Sequence, residues 1–271
     1  MSRNFSTFER GGVRLKKGLG QNLLSDKNYI KKIIDVINID KKDTIVEIGS
    51  GLGAITLEMA KNAKKIICIE KDREMVEALN KKIKEENIKN IEVINEDVLN
   101  LFSDNHFKIG KTKKYKVVAN IPYYLTSILI RNLLESTNTP EDIFLMIQKE
   151  VGKRICSKPG EMSILSVSVQ YYAEPKILFE VSKNCFYPKP KIDSVFIQIR
   201  PKRIDQNDNF FELVKLGFSH PRKQLIHNLS SLDREFIRNW LLENKLRPGE
   251  RAECLSIPQW EDLFIKIKDH K

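Results

Sequence analysis

Thr44-Ile45-Val46-Glu47-Ile48-Gly49-Ser50-Gly51-Leu52-Gly53-Ala54 is the stretch on which the fold turns. A β-branched apolar run of strand length passes straight into three glycines at alternate positions, and a helical pattern opens behind them. Missing side chains let a ligand approach the backbone, with the N–H groups of the helix start facing it. The loop by itself is ambiguous. It satisfies the dinucleotide pattern G-x-G-x-x-G/A through Ala54 and also G-x-G-x-G.

Working outward, a second strand over Lys65 to Ile69 ends at Glu70, 17 residues beyond Gly53. A carboxylate at that place in a βαβ unit accepts both hydroxyls of a ribose. A third strand, Ile91 to Ile94, runs into Asn95-Glu96-Asp97-Val98. A fourth, Tyr115 to Ala119, runs into Asn120-Ile121-Pro122-Tyr123-Tyr124. Four strands thus finish with ligand-type residues, which gathers them on one edge of an α/β sheet. In the last loop Asn120 offers an amide oxygen as acceptor, Pro122 stiffens the backbone, and Tyr123 presents a flat π face. An acceptor beside a stacking platform suits an exocyclic amino group on a nucleobase; Asn-x-Pro is equally ordinary turn vocabulary. Tyr124 is expected to pack beneath the loop.

Before the first strand, Ser25 or Asp26 caps a helix with an apolar stripe at Ile30, Ile33, Ile34 and Ile37. After the fourth, the pattern gives a helix from Thr126 and a fifth strand from Ile143 to Ile147. Helices over Lys149 to Cys156 and Ser163 to Tyr172 follow, broken at Pro159-Gly160. Lys176 to Val181 and Ser194 to Ile199 read as an antiparallel closing pair at the sheet edge. The polar stretch from Pro201 to Asp208 divides a domain over residues 1–201 from a small helical one over 202–271. Four short amphipathic helices are expected there: Phe210 to Phe218, Arg222 to Ser231, Asp233 to Asn244 and Pro258 to Lys268. The fold class is therefore α/β, a mostly parallel sheet with an antiparallel edge, plus an all-α C-terminal domain.

The chain has 271 residues, 41% of them hydrophobic and 31% charged, an ordinary globular balance. No apolar run reaches bilayer length, and the start lacks a signal peptide's apolar centre; a cytoplasmic monomer is expected. Cys68, Cys156, Cys185 and Cys254 form no C-x-x-C pair, and the four histidines have no ligand spacing, so no metal is expected. The net charge of +11 points to a polyanionic partner. It is not a basic tail: residues 202–271 carry thirteen basic and eleven acidic side chains. Residues 1–17 read as a basic arm without periodicity, partly disordered.

At this point the sequence resembles the ribosomal RNA adenine N6,N6-dimethyltransferases over nearly its whole length, from about Gly18 to Lys268. The carriers are Gly20-Gln21-Asn22-Leu23-Leu24, Glu47 to Gly53, Glu70, Asn95-Glu96-Asp97-Val98 and Asn120-Ile121-Pro122-Tyr123-Tyr124. Gln148-Lys149-Glu150-Val151, Phe186-Tyr187-Pro188-Lys189-Pro190-Lys191-Ile192-Asp193-Ser194 and Arg222-Lys223-Gln224-Leu225 complete the ordered set. Leu23 stands where the family usually has Phe, and Ser219-His220-Pro221 where it more often has polar or basic residues.

The resemblance implies a Rossmann-like S-adenosylmethionine methyltransferase domain, with small-subunit rRNA or the pre-assembled subunit as partner. It places cofactor binding on Asn22, Leu24, Gly49, Glu70, Asp97 and Asn120; beside them Gly51 and Val98 are expected at the cofactor, and Asn120, Tyr123 and Phe186 are expected to hold the base. RNA phosphates are expected at Lys16, Lys17, Lys149, Arg154, Arg222 and Lys223. The Pro-Lys-Pro-Lys-Ile-Asp-Ser run together with Arg222-Lys223-Gln224-Leu225 looks more like the branch that modifies two adjacent adenines near the 3′ end of small-subunit rRNA. The alternatives are the branch that modifies one large-subunit adenine and confers macrolide resistance, a dinucleotide-dependent oxidoreductase, and a non-catalytic assembly factor.

Overall fold

In the computed structural model, residues 8–10, 12–15, 21–103, 106–107, 114–202 and 208–269 are described. The chain opens with β1 (Phe8–Arg10) and β2 (Val13–Leu15), an antiparallel hairpin turned at Gly12, whose φ is +76°. The basic arm is therefore ordered in this part. Val13 and Leu15 are buried against Leu52 and Met75, which supplies the apolar anchor that a purely polar reading of the arm overlooked. Lys16 and Lys17 lie outside the described residues.

There follow β3 (Leu23–Leu24), α1 (Lys27–Ile37), β4 (Thr44–Ile48), α2 (Thr56–Ala60), β5 (Lys65–Glu70), α3 (Arg73–Glu85) and β6 (Ile91–Asn95). Two short strands, β7 (Phe102–Ser103) and β8 (His106–Phe107), precede β9 (Lys116–Asn120), α4 (Thr126–Glu135) and β10 (Asp142–Gln148). Next come α5 (Lys149–Ile155), α6 (Ile164–Tyr172), β11 (Ala173–Val181), β12 (Phe186–Tyr187) and β13 (Ser194–Pro201). The chain ends with α7 (Asp208–Gly217), α8 (Leu225–Asn228), α9 (Arg234–Glu243) and α10 (Ile257–Asp269).

The main sheet has seven strands in the order β11-β13-β10-β9-β4-β5-β6. From β10 to β6 all pairings are parallel, and β13 is antiparallel to β10, as the edge pair in the sequence suggested. Ile45, Val46, Ile66, Ile67, Val117 and Val118 are all buried, the near-continuous apolar strands of a sheet covered on both faces. Strand order reverses beside β4: β5 lies on one side and β9, from a later unit, on the other. Ligands of open α/β sheets bind outside the carboxyl ends of the strands at such a switch.

The chain divides into two compact units, Met1–Gly152 with Lys176–Pro201, and Lys153–Pro175 with Lys202–Lys271. The last cut falls after Pro201, but residues 153–175, which the sequence pattern assigns to the first domain, group with the C-terminal helices. The cause is aromatic packing: Tyr171 of α6 stacks on Phe210 of α7 with ring centroids 4.3 Å apart, and α6 also packs on α10. Within this second unit Trp260 and Trp240 are buried, and Trp240 Nε1 donates to Asp262 Oδ2 at 2.7 Å.

One helix is shorter than expected. Arg222 and Lys223 lie in a turn ahead of α8, not on it. The Lys223 amide donates to the His220 carbonyl at 2.9 Å, and Asn228 Nδ2 donates to the same carbonyl at 3.1 Å. Those bonds hold residues 220–223 as a turn. Among the described residues no helix is long and apolar enough to cross a membrane.

Gly53 shows how tightly the glycine loop is set against α3. Its φ is +83°, and an added Cβ would lie 2.5 Å from Leu79 Cδ1. Gly53→Ala combines left-handed strain with overpacking, each worth about 1–3 kcal/mol. Urea denaturation should show a loss of about 2 kcal/mol or more.

Candidate active site

Glu70 ends β5 with its side chain almost out of solvent, at 9% exposure. Such a carboxylate needs donors: the Gly51 amide reaches Oε2 at 2.9 Å and the Asp72 amide reaches Oε1 at 2.9 Å. Burial pushes its pKa above the usual carboxylate range, against the pull of the Asp72 and Gly51 amides. The glycine loop is thereby tied to the start of α3. Asp72 caps that helix through the Glu74 amide at 3.1 Å, and its other oxygen accepts Gln21 Nε2 at 2.8 Å. Gln21 thus brings the segment before β3 to the same edge.

Asp97 lies beyond β6 and caps a short 3-10 turn, with Oδ1 accepting the Leu99 amide at 3.0 Å. Oδ2 accepts Lys71 Nζ at 2.7 Å. Burial works against its charge, but the Lys71 ammonium and the Leu99 amide outweigh it and leave the pKa below the ordinary range. Val98, next in the chain, is buried.

Asn120 is the last residue of β9, and its Nδ2 donates to the Asn22 carbonyl at 3.4 Å. That contact leaves Oδ1 as the acceptor end of the amide. Pro122 has φ −54° and ψ 137°, and its carbonyl accepts the Leu125 amide at 3.0 Å, closing the turn that carries Tyr123 and Tyr124. Tyr123 is held from the far side: its hydroxyl lies 3.0 Å from Ser194 Oγ, which is fully buried at the start of β13. Burial raises the Tyr123 pKa, opposed by the Ser194 hydrogen bond.

Phe186 arrives on a ribbon. β12 pairs antiparallel with β3, Phe186 opposite Leu24 and Tyr187 opposite Leu23. The Ser25 amide and hydroxyl both donate to the Cys185 carbonyl, at 2.8 and 3.0 Å. Of the two capping candidates for α1, Asp26 therefore takes the cap and Ser25 the ribbon. Phe186 is 4% exposed, part of the core on one side and of the cavity on the other.

One cavity collects nearly every residue expected at the site: Asn22, Gly49, Gly51, Glu70, Asp97, Val98, Asn120, Tyr123 and Phe186 all line it. Gly49 is required there. Its φ is +76°, and a Cβ would lie 2.9 Å from the Asn120 carbonyl oxygen. Leu24 is buried in the core at 4% exposure; it does not line this cavity but lines a second one that shares Leu23, Gly49 and Asn120 with it. Tyr124 departs from expectation: it lines the cavity and is 65% exposed, not packed under the loop.

Among the phosphate candidates, Lys149 Nζ pairs with Glu180 at 2.7 Å, while Arg154, Arg222 and Lys223 belong to the second unit. Sequence reasoning missed Gln21, Lys71, Asp72 and Ser194. Asp72 carries a legible signal, an Asp just before a helical pattern; the Lys71–Asp97 and Tyr123–Ser194 partnerships leave no local trace. Among the described residues no group of His, Cys, Asp or Glu is arranged to hold a metal.

With this geometry in place, comparison with known proteins decides the family. The model of the ribosomal RNA adenine dimethylases matches residues 12–269. The chain belongs to that family. A "Ribosomal RNA small subunit methyltransferase A" from Fusobacterium nucleatum is 40% identical over 262 residues, covering 93% of this chain and 97% of that protein. One of the same name from Staphylococcus carnosus is 35% identical, covering 93% and 90%. The crystal structure of a dimethyladenosine transferase from Plasmodium falciparum aligns with TM-score 0.76 and 26% identity over 91% of this chain and 98% of that one. The Rossmann-like α/β fold that the resemblance implies is that of the family.

Glu47, behind the glycine loop, is fully enclosed. Its Oε2 accepts the Thr56 hydroxyl and the Cys68 thiol, the latter at 3.7 Å. Burial pushes its pKa up to about 7 against those hydrogen bonds. Between the ordinary carboxylate value and about 7, the folded state keeps a proton that the unfolded chain has released. Stability from this group is therefore present at low pH and lost as pH rises toward 7. Urea titrations from about pH 5 to about pH 8 should show that decline in the wild type and a flatter profile in Glu47→Gln.

Proposed function

We propose that this chain transfers methyl groups from S-adenosylmethionine to N6 of two adjacent adenines near the 3′ end of small-subunit rRNA, as a step in small-subunit biogenesis. The observation that carries this reading is the meeting of Asn120 and Tyr123 with Glu70 and Asp97 in one cavity. A nucleobase-amine site and a nucleoside site share a wall. The small-subunit branch is favoured by the names of the relatives and by the run from Pro188 to Ser194 together with Arg222 to Leu225.

The donor set fits the cofactor. A carboxylate has about four lone-pair sites, so Glu70 can accept ribose hydroxyls beyond the Gly51 and Asp72 amides. Asp97, held ionised by Lys71, is an acceptor for the adenine amino group, and Val98 offers an apolar wall. The backbone at Gly49 and Gly51 is bare where a methionine chain would lie, with Asn22 beside it. S-adenosylmethionine would supply a methyl group activated by a sulfonium, whose sulfur leaves as a neutral thioether.

What the protein adds is position. The adenine N6 lone pair is delocalised into its ring, and acceptors for the N6 hydrogens draw that nitrogen toward pyramidal geometry. Asn120 Oδ1 is one such acceptor, and the Ile121 carbonyl, stiffened by Pro122, is a second. Tyr123 and Phe186 flank the base, and stacking offsets the cost of extracting it from its helix, a few kcal/mol. Orientation of this kind can supply roughly 7–11 kcal/mol of barrier reduction. No tuned base is required, because the proton can leave to water after transfer.

Labelled S-adenosylmethionine with bare rRNA and with assembled small subunits is the direct test. Label should enter N6,N6-dimethyladenine, and Asn120→Ala should lower kcat by orders of magnitude with little change in RNA affinity. Tight NAD binding without transfer would favour an oxidoreductase, and subunit binding without transfer an assembly factor.

Lys16, Lys17, Lys149, Arg154, Arg222 and Lys223 are proposed to meet RNA phosphates. Removing one such cation should reduce the magnitude of the log–log salt slope of RNA binding by roughly 0.7–0.9. Arg222→Ala with Lys223→Ala should therefore weaken and flatten salt-dependent rRNA binding while S-adenosylmethionine affinity holds. An unchanged slope would remove these two residues from the interface.

A further inference from the structure

We infer that Tyr124 is a binding residue for the nucleotide beside the target adenine, stacking its ring on that neighbour while the target occupies the cavity. The inference rests on the reading of two adjacent adenines as substrate.

Tyr123 and Tyr124 sit side by side on one 3-10 turn but face different surroundings. Tyr123 is fixed by Ser194 and half-buried; Tyr124 is 65% exposed and still lines the cavity, which puts its ring at the rim. Its backbone is not free to withdraw, because the Pro122 carbonyl accepts the Leu125 amide at 3.0 Å and closes the turn. A large aromatic held exposed at the mouth of a cavity gains nothing from the core. A base drawn into that cavity keeps its covalent neighbour within one nucleotide's reach of the rim. Every base has a π face, so an aromatic ring there is a sequence-tolerant platform.

The charge at the rim permits it. Asp97 and Glu96 line the same cavity and would repel an incoming phosphate, but Lys71 Nζ lies 2.7 Å from Asp97 Oδ2 and offsets the nearer carboxylate. Lys71 and Tyr124 line the same cavity. Tyr124 offers a ring to the base, and Lys71 partly offsets the two carboxylates toward its phosphate. With two adjacent adenines as substrate and one strand polarity, one of the two adenines would be the stacked neighbour while the other is the target.

The test is a cycle between protein and RNA. Small subunits are reconstituted with rRNA that is intact, or abasic at the 5′ or the 3′ neighbour of one target adenine. Wild type, Tyr124→Ala and Tyr124→Trp are assayed for methylation of that adenine, and calorimetry gives S-adenosylmethionine affinity. On intact particles Tyr124→Ala should lower kcat/KM about 5- to 100-fold, mainly through KM, the range expected of one stack, and Tyr124→Trp should restore it. With one of the two abasic particles the wild type should fall to the level of Tyr124→Ala, and the substitution should cost nothing more. A full penalty on both abasic particles, no penalty on intact ones, or a loss confined to cofactor affinity would overturn the inference while leaving the methyltransferase reading intact. A wild type that transfers no methyl to intact particles would overturn both.

Discussion

The site depends on how one buried carboxylate is satisfied. Glu70 sits at the end of a central parallel strand, where sheet geometry gives its side chain no partner. Without donors its charge would be costly. Amides of Gly51 and Asp72 reach it, so satisfying Glu70 fixes the glycine loop against the first turn of α3. Asp72 in turn holds Gln21 and thus the segment carrying Asn22. One desolvated group has in this way drawn three separate parts of the chain to the edge where β4 and β9 part from their neighbours in sequence.

A second constraint joins the two halves of the cavity. Asn22 and Phe186 are far apart in sequence, yet the β3–β12 ribbon makes them close structural neighbours, and Ser25 clamps its end through two donors to one carbonyl. The ribbon carries a residue proposed for the cofactor beside one strand and one proposed for the base on the other. Asn120, bonded to the Asn22 carbonyl, touches the same ribbon. A shift of the ribbon would therefore move both ligands' surroundings together, which suits a reaction whose barrier is set by their relative placement.

The sheet was legible because its strands are apolar and β-branched throughout, and because each ends in a residue whose chemistry has no place in a core. Glu70, Asp97 and Asn120 could be assigned to one edge from pattern alone, since parallel strands with helical crossovers put all their carboxyl ends on one side. What pattern could not reach were partnerships over long separations. Ser194 reads as the end of a proline-lysine run, yet it braces Tyr123 from the start of another strand. Residues 153–175 read as part of the sheet domain because they precede two of its strands, but the ring of Phe210 is buried against Tyr171, and aromatic packing overrides chain order. Arg222 to Ser231 carries a helical pattern, but Pro221 and the doubly used His220 carbonyl restrict the helix to its apolar centre at Leu225.

The division of labour between Asn120 and Glu47 follows from their surroundings. Glu47 is the one carboxylate in the neighbourhood whose pKa burial brings to about 7, the value a general base would have, yet its oxygen is taken by Thr56 and Cys68 on the far side of the glycine loop. It does not line the cavity that Asn120, Tyr123 and Phe186 share. The groups proposed to hold the target base, an amide and a phenol bound to a buried serine, are ones whose protonation does not change near neutral pH. On that proposal the enzyme orients its nucleophile and does not deprotonate it. The ring of Tyr123, locked by Ser194, and the amide of Asn120, locked by Asn22, are then equivalent devices: each has one end fixed by the protein so that the other is aimed.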